Sequence, residues 1–481
     1  MNSFRQSVFL AGCLPVLLVK TASGQEEAPH QPESRVLEEI IVTAQIREQG
    51  LRDVPISMSV TSGEEISNQA ILELEDLSAQ VPGFTVTEAA ISTLVYVRGL
   101  GSGINQGFEQ SVGMYVDGVY AGRGRQYRSS FLDLERVELL KGPQGILFGK
   151  NTIAGAINIS TAQPTDTFEG YISGLVDSDH GEHDLTAVFS GPLGENVSGR
   201  FAARRGGFDG WLNNTAAGRE EAGVDDTVLR GTVRWTPNAD LEITGKVEYS
   251  EYEVEGRTTQ ITGAGFLGPL FQFYDPLFED QLDEQKSVGG IGLDRSSTES
   301  RNLALTVNYE QDGYTLTSIT AHSEYDYMDR LDVDFGPIPY LFQVEPQDFE
   351  QFSQEIRIVS PPDDQYEFIV GLYYENSELR NSKAIDADLS HLGAELPPTT
   401  RYIGFNQDSD SWAAFAQGTW YLRDDLRLNA GIRYTDEEKT AVQDLWFANF
   451  QTMTPNPQLG FFYGLAGFGV EHAFSRKRSE D

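Results

Sequence analysis

The residues with the spacing of metal ligands are two histidines and their acidic neighbours. His180 and His183 lie three positions apart, with carboxylates close by at Asp177, Asp179 and Asp184. Imidazole and carboxylate groups both bind zinc and other transition metals. The segment falls in a loop between two expected strands, where adjacent positions rarely hold a metal without supporting outer contacts. We therefore favour an exposed acidic loop over a metal site, and we predict neither a metal nor a cofactor.

No catalytic motif accompanies this cluster. The sequence contains no G-x-S-x-G nucleophile elbow, no phosphate-binding P-loop and no H-E-x-x-H metalloprotease motif. We predict that the chain is not an enzyme and has no catalytic residue. The remaining candidates for function are residues that bind a ligand or a partner without covalent change.

Composition limits the class of protein further. The 481 residues carry a formal net charge of −38, so nucleic acid is not an expected partner. Aromatic residues make up 11% of the chain and glycine occurs 48 times, a mixture that suits many short strands joined by turns. The single cysteine, Cys13, leaves no disulfide to expect. No run beyond the N-terminus approaches the ~20 apolar residues of a spanning helix, so a membrane protein of this sequence would have to be a barrel.

The N-terminus has the pattern of a secretory signal. Arg5 precedes an apolar run from Val8 to Val19, and small residues around Ala22 provide a cleavage site, which predicts a signal peptide over residues 1–24. The segment that ends at Cys13 also resembles a lipoprotein processing box, but the apolar run continues after the cysteine. Residues 25–52 then form a leader whose first part is polar and contains proline.

The stretch from Val112 to Thr161 contains several short strands joined by glycine turns. Asp117-Gly118 stands between strand-forming pairs, which is a strong hairpin signal. Further on, apolar and charged residues alternate from Leu132 to Leu139, as in a half-buried strand. The sequence LERVELLKGPQGILFGKNTIAGAINI in this stretch closely resembles the plug signature of TonB-dependent outer-membrane receptors, LExVEVLKGPQGxLFGxNxxGGxINI. The resemblance implies a plug domain over residues 53–163, and the apolar spacing from Gly63 to Leu77 predicts one helix within it.

The same resemblance assigns a role to the segment before the plug. Receptors of this family carry their TonB box there, with a similar EEIIVTA pattern. The box in this chain would comprise Ile40, Ile41, Val42, Thr43 and Ala44. Such a segment can join a sheet edge of a partner through main-chain hydrogen bonds. The implied partner is the C-terminal domain of TonB, together with the inner-membrane complex that energises it.

Two plug loops are the expected ligand contacts. In the receptor family, loops at these positions face the extracellular vestibule and touch the ligand. Their polar residues here are Asn105, Gln106, Arg123, Arg125, Tyr127 and Arg128. Arginines would suit an anionic ligand such as a carboxylate or hydroxamate iron chelate. Loops are polar for many reasons, so solvated loop residues remain the alternative.

After about Pro164 the chain consists of paired strands. Leu241 to Ser250 and Leu426 to Thr435 alternate strictly between apolar and polar residues, as a membrane barrel requires. Short turns alternate with long connections, expected over residues 206–225, 251–300, 326–351 and 375–408. The predicted fold is therefore mainly β, with an antiparallel transmembrane β-barrel over residues 164–481 after the small α/β plug domain. The resemblance implies a location in the outer membrane of a Gram-negative bacterium, in contact with its lipid.

The resemblance also implies ion pairs between plug and barrel. Arg98 and Arg136 match two plug arginines that pair with barrel glutamates in this family. In the strand from Phe352 to Ile358 the apolar residues share one face, which places Glu355 on the lumen face. We predict that Glu355 lies within ion-pair reach of Arg98 or Arg136.

The number of strands is smaller than in plugged transporters, which close with about 22 strands. We find eleven convincing strands after Gln163 and a doubtful twelfth around Leu459 to Val470. The usual C-terminal aromatic residue is replaced by the polar tail after Phe474, which resembles an early stop or a shifted frame. We therefore expect a partial barrel that does not transport alone, and a smaller closed barrel is the competing expectation.

The function implied by the resemblance is active uptake of a scarce ligand, most often a ferric siderophore. Uptake of an oligosaccharide, cobalamin or haem is the alternative within the family. Two alternatives of other classes are a truncated β-protein that only binds at the surface and a soluble carbohydrate-binding β-protein. The signal peptide and the plug signature argue against the soluble protein.

Overall fold

The computed structural model of the chain describes residues 41–43, 46–47, 49–51, 54–89, 92–103, 109–128, 131–289, 294–363, 365–392, 398–423, 425–449 and 472–480. Strands dominate these residues, which confirms the mainly β class. A five-stranded sheet with two short helices comes first in the chain, and a twelve-stranded antiparallel sheet follows. None of the helices among these residues is long and apolar enough to cross a membrane.

The elements of the first part are, in chain order, β1 (Ile41–Val42), β2 (Gln49–Gly50), β3 (Met58–Ser62), α1 (Gly63–Asn68), α2 (Leu74–Gln80), β4 (Phe84–Ala89), β5 (Ser92–Val97), β6 (Leu100–Gly101), β7 (Val112–Val116), β8 (Val119–Ala121), a 3-10 turn (Gly124–Arg128), β9 (Leu134–Lys141) and β10 (Gly155–Thr161). The sheet order is β3-β9-β10-β7-β8, and the pair β10–β7 is parallel. We call the elements from β3 to β10 the plug sheet. Its core contains Leu77, Val95, Val112, Leu139 and Ile157.

The Asp117-Gly118 hairpin is confirmed. It joins β7 to β8, with Val116 opposite Val119. Asp117 and Gly118 have φ values of 51° and 81°, so both central residues are left-handed, as the two-residue turn favoured in hairpins requires. The local sequence therefore determined this turn.

The single helix expected from Gly63 to Leu77 is wrong, because the segment forms α1 and α2 separately. Ser62 caps α1, and its hydroxyl accepts the Glu65 amide. Helix α1 ends at Asn68, and Ala70 has a φ of 49°, which is incompatible with a continuing helix. Asp76 then accepts the Leu72 and Glu73 amides and starts α2. Local hydrogen bonds between side chains and the backbone therefore divide a segment whose apolar spacing predicts a single helix.

The elements of the second part are β11 (Glu169–Val176), β12 (His183–Gly194), β13 (Val197–Phe208), β14 (Leu212–Asn214), β15 (Arg219–Glu221), β16 (Gly223–Asn238), β17 (Leu241–Glu255), a 3-10 turn (Gly265–Leu267), α3 (Gly268–Tyr274), β18 (Gln285–Lys286), β19 (Arg295–Gln311), β20 (Tyr314–Asp332), β21 (Leu341–Val359), β22 (Tyr366–Ala387), a 3-10 turn (Leu389–Leu392), β23 (Thr399–Arg423), β24 (Leu426–Asn449) and β25 (His472–Glu480). We call the sheet β11-β12-β13-β16-β17-β19-β20-β21-β22-β23-β24-β25 the wall.

The wall has two faces of different character. On β20, Ile319 and Ala321 are buried towards the plug sheet, whereas Leu316 on the opposite face is exposed. The outward face of β23 carries Trp412 and Trp420, eight residues apart. At about 3.3 Å per residue this spacing is about 26 Å along the strand, close to the ~25 Å apolar band of outer-membrane barrels.

The long connections are shorter than expected because the strands continue further. They cover residues 209–222, 256–294, 333–340 and 388–398, and β23 alone has 25 residues. About ten residues suffice to cross a membrane, so the ends at the long-loop side extend beyond it. In those ends the strict apolar–polar alternation that predicts strands is lost from the sequence.

The last strand differs from expectation as well. The segment from Leu459 to Val470, expected as the doubtful twelfth strand, lies outside the described residues. Instead the polar stretch His472–Glu480 pairs with β24 as β25. Backbone pairing does not require apolar side chains, so this strand left no period-two signal.

Candidate functional site

The segment from Ile41 to Gly50 is folded back on itself beside the plug sheet. Ile41 pairs with Gly50 and Val42 pairs with Gln49, so β1 already has a strand partner. The Val42 side chain is fully buried. Of the expected TonB box, Ile40 and Ala44 lie outside the described residues, and only the backbone of Ile41 is described.

A buried carboxylate bonds this segment to the plug sheet. Glu138 on β9 has no exposed surface, and its Oε1 accepts the Thr43 amide at 2.8 Å. Arg136 donates to the same Oε1 at 2.9 Å and to the Thr43 hydroxyl at 2.9 Å. Asn158 on β10 donates to the second carboxylate oxygen at 2.9 Å. We call Thr43, Arg136, Glu138 and Asn158 the Glu138 cluster.

Arg47 ties the same segment to the wall. Its guanidinium donates to the Ser360 carbonyl at 2.9 Å and the Phe368 carbonyl at 2.9 Å, and it lies 3.6 Å from the Glu367 carboxylate. These partners belong to the β21–β22 connection and to β22. The residues around the box thus contact the plug sheet at Thr43 and the wall at Arg47.

The prediction that Glu355 pairs with Arg98 or Arg136 is wrong, because in the described part of the structure all three residues contact other partners. Arg98 donates to the Ser57 hydroxyl at 2.6 Å. Arg136 pairs with Glu138 and Glu135 on its own strand. Glu355 pairs with Arg357 at 2.5 Å, also on its own strand. Residues two positions apart share one face of a strand. Arg136 and Glu355 therefore each form an ion pair with a neighbour on their own strand and not with a residue on another strand.

Glu355 does face the plug sheet, as its strand pattern predicts. It lines a cavity of about 260 Å³ between plug sheet and wall, together with Asp117, Tyr373 and Arg433. Its neighbours Phe352 and Ile356 are exposed on the opposite face. The period-two pattern therefore predicted the direction of this side chain but not its partner.

The plug–wall ion pairs centre on Lys150, which the sequence analysis did not single out. Its ammonium lies 2.9 Å from Glu375 on β22, 2.7 Å from Glu437 on β24 and 3.3 Å from Glu109 in the plug. Lys439 on the wall lies 3.0 Å from Glu109 and 3.2 Å from Glu437. We call these five residues the Lys150 network. Lys150 lies inside the plug signature. No turn there requires a positive charge, and this charge was the feature of the sequence that could have indicated an ion-pair partner for Lys150.

Two further pairs have the opposite polarity to the prediction, with the acid on the plug and the base on the wall. Asp133 binds Arg200 on β13 through two bonds of 2.6 Å each. Asp117 lies 2.5 Å from Lys246 on β17. Bidentate arginine–carboxylate pairs are strong and geometrically specific.

Charge pairing outweighs burial in the plug part of these contacts. Burial by itself would raise the pKa of Glu109, but Lys150 and Lys439 lower it well below its ordinary value. Burial would likewise lower the pKa of Lys150, yet Glu375, Glu109 and Glu437 raise it. These groups therefore stay charged across the physiological pH range.

The expected ligand residues are in part buried. Arg123 and Arg125 are 3% and 6% exposed, and their guanidinium groups lie over the rings of Phe349 (5.3 Å) and Tyr327 (3.6 Å) on the wall. Such cation–π contacts hold the loop against the wall rather than leaving it solvated. For the other four, the backbone of Tyr127 and Arg128 forms the 3-10 turn, whereas Asn105 and Gln106 lie outside the described residues.

The histidine cluster contains no grouping of metal ligands in the part of the chain that the structure describes. His183 contacts the Gly181 carbonyl at 3.1 Å through Nδ1. The His180 ring meets the Phe208 ring edge-on at 6.1 Å.

A small sheet domain bonded by ion pairs to a long antiparallel wall is the architecture of a plugged outer-membrane receptor. Residues 50–156 match the model of the TonB-dependent receptor plug domain, and residues 210–467 match the TonB-dependent receptor-like β-barrel. The chain belongs to the family of TonB-dependent receptors, which are proteins of the Gram-negative outer membrane and are not enzymes.

Relatives within the family are similar over different parts of the chain. The pesticin receptor of Yersinia pestis is 26% identical over 396 residues, which is 80% of this chain and 54% of the relative. The vitamin B12 transporter BtuB of Vibrio vulnificus is 35% identical over 153 residues, which is 30% of this chain and 24% of the relative. The chain thus spans about half the length of the pesticin receptor.

Solved structures are similar in fold. The ferric yersiniabactin uptake receptor FyuA from Yersinia pestis matches with a TM-score of 0.69 and 22% identity, over 88% of this chain and 61% of that one. The ferripyoverdine receptor of Pseudomonas aeruginosa matches with a TM-score of 0.65 and 17% identity, over 85% and 58%. At these identities the similarity concerns the fold alone.

Proposed function

We propose that this chain acts in TonB-dependent uptake of a ferric siderophore across the outer membrane. The observation that carries the proposal is the Glu138 cluster, which joins the segment before the plug directly to β9 of the plug sheet and, through Asn158, to the central strand β10. A pull on Thr43 is transmitted to β9 through a buried carboxylate. The partner that pulls is the C-terminal domain of TonB with its inner-membrane complex, which would pair with Ile40 to Ala44 by strand addition.

Strand addition requires that the segment first leave β2. In the structure β1 is paired with β2 and held at Thr43 and Arg47. We infer that ligand binding weakens one of these contacts and so frees the segment for TonB. A ligand can shift this equilibrium only by its different affinity for the two arrangements.

The assignment of a siderophore rests on relatives. FyuA is described as a ferric yersiniabactin receptor and the Pseudomonas protein as a ferripyoverdine receptor, and both span most of this chain in fold. Vitamin B12 is the second candidate because the BtuB relative has the higher identity, although it spans 30% of this chain. We assign ligand contact to the loops that carry Asn105, Gln106, Arg123, Arg125, Tyr127 and Arg128. The buried Arg123 and Arg125 would fix their own loop against the wall.

The test of coupling replaces Ile41 with proline. Proline removes a backbone donor and fixes φ, so Ile41→Pro should abolish binding of the purified TonB C-terminal domain, measured by calorimetry with the chain in detergent. Ile41→Val keeps the amide and is the matched control. If Ile41→Pro binds TonB as well as Ile41→Val does, the box is assigned wrongly.

The test of substrate is direct binding. Quenching of intrinsic fluorescence is measured with ferric yersiniabactin, ferripyoverdine, cobalamin and haemin, each with unloaded chelate or porphyrin as reference. The proposal expects saturable binding of a ferric siderophore in both Ile41 variants. If only cobalamin or haemin shows saturable binding, the assignment of a siderophore is wrong. The result on TonB binding by the Ile41 variants is not affected by that outcome.

A further inference from the structure

The outward face of the wall has a depression where two neighbouring strands each carry a glycine. Gly231 on β16 lies opposite Val247 on β17, and Gly245 on β17 lies opposite Val233 on β16. The two glycines are therefore diagonal neighbours on one face. Both line an open cavity of about 920 Å³, within the size range of about 300–1,000 Å³ for small-molecule sites.

The surroundings of the depression are apolar and exposed. Most of its outward lining is apolar and exposed, and includes Phe189, Phe201, Val233, Val247, Leu303 and Leu305. They come from strands β12, β13, β16, β17 and β19, which are neighbours in the wall. The lining therefore belongs to the continuous apolar surface that this receptor family presents to lipid.

The space over the two glycines is empty. A Cβ atom at Gly245 would meet no other atom within 4 Å, and one at Gly231 would meet only Val247 Cγ2 at 3.5 Å. At Gly199, by contrast, the Leu193 side chain lies 2.7 Å from the Cβ position and already fills the gap. The depression thus remains open at one place, over β16 and β17.

Its position favours a lipid over a polypeptide. Both β16 and β17 are hydrogen-bonded to a strand on each side, so neither offers an edge to an incoming strand. At one end, Thr320 and Gln354 bond each other at 2.6 Å, and Gln354 also bonds Ser318 at 3.0 Å. His322 also lines the depression at this end, and its Nε2 lies 3.7 Å from the Glu324 carboxylate and 3.9 Å from the Glu350 carboxylate, so the polar groups here have partners on the wall itself. An apolar chain is the occupant that fits.

The leaflet follows from the topology. Gly245 lies four residues from Leu241, where β17 begins after the two-residue turn that joins it to β16. Short turns lie on the periplasmic side in outer-membrane barrels, so the depression lies in the periplasmic half of the apolar band. Phospholipids form that leaflet.

We propose that the depression over Gly231 and Gly245 binds one acyl chain of a phospholipid from the periplasmic leaflet. Bound in this way, the lipid completes the outward surface of β16 and β17. It is retained more strongly than lipid around the rest of the wall, because it contacts apolar side chains on three sides.

The experiment uses the full chain in detergent with 1-palmitoyl-2-oleoyl phosphatidylethanolamine and native mass spectrometry. Wild type should retain one phospholipid, and Gly231→Leu/Gly245→Leu should reduce the bound fraction about tenfold or more, because the leucines replace the apolar contact. Gly418→Leu, on the outward face of β23, is the matched control and should retain wild-type binding. Equal retention by the double variant, or equal loss in the control, would overturn the proposal.

A second measurement keeps the test independent of the variants. Phosphatidylethanolamine with a diazirine at the middle of one acyl chain is photoactivated with the wild-type chain, and cross-linked peptides are mapped. Cross-links should concentrate in β16, β17 and β19, several-fold above β22 and β23. A uniform distribution around the outward face would exclude a specific site.

Discussion

Replacing Lys150 with methionine should loosen the plug sheet from the wall. Methionine has a similar length but no charge, so Glu375 loses the Lys150 cation and keeps the Tyr373 hydroxyl, at 2.7 Å. Glu109 and Glu437 retain Lys439. The three carboxylates then lie close together with one ammonium group instead of two.

The magnitude follows from burial. The Lys150 side chain is 15% exposed, and its three partners are between 2% and 16% exposed. Removing one member of a buried ion pair costs about 3–5 kcal/mol, and the remaining Lys439 places this network at the lower end, about 3 kcal/mol. An exposed pair would contribute at most about 1 kcal/mol.

The assay is hydrogen-exchange mass spectrometry of β7 and β10 at increasing guanidinium chloride concentrations. The midpoint for exchange of these plug strands should fall in Lys150→Met. The matched control is Lys383→Met, because Lys383 is 18% exposed and pairs with Glu345 inside the wall, at 3.0 Å. If the control lowers the plug midpoint equally, or Lys150→Met leaves it unchanged, the network does not hold the plug.

The difference in plug stability between wild type and Lys150→Met should depend on pH. The pKa of Glu109 is lowered in the folded protein, so its stabilisation is complete above the ordinary value of 4.5 and is lost as the pH falls further. The pKa of Lys150 is raised, so its contribution is complete below the ordinary value of 10.5 and is lost as the pH rises beyond it. The difference between wild type and variant should therefore be constant from about pH 5.5 to 9.5 and shrink below about pH 4.5.

Three further predictions concern the coupling segment, the second ion pair and one loop. Glu138→Gln should free Thr43, because the amide has one acceptor oxygen for the Thr43 amide, Arg136 and Asn158, and should raise protease cleavage near residue 43 severalfold; unchanged cleavage would refute the cluster. Arg200→Met should destabilise the plug by about 3 kcal/mol through unpaired Asp133, measured by the same exchange assay, with exposed Arg205→Met as the neutral control. Burial raises the pKa of Asp334 to about 6, so its loop should resist proteolysis better at pH 5 than at pH 8, and the opposite order would contradict this.

The sequence predicted those parts of the fold that depend on neighbours along the chain. The Asp117-Gly118 turn and the facing of Glu355 follow from local backbone preference and the two-residue period of a strand. It failed where local polar contacts interrupt a pattern, as between α1 and α2. The sequence also did not predict β25, because its backbone pairing with β24 requires no alternating apolar residues.

The sequence alone did not determine which charges meet. Lys150 is 225 residues from Glu375 and 287 from Glu437, and their approach depends on the register and curvature of the wall around the plug sheet. A one-residue change of register would turn each of these wall side chains to the opposite face. Strand positions and turns therefore follow from the sequence. The pairing of plug with wall follows only from the tertiary structure, because it requires two separately formed sheets to be placed against each other.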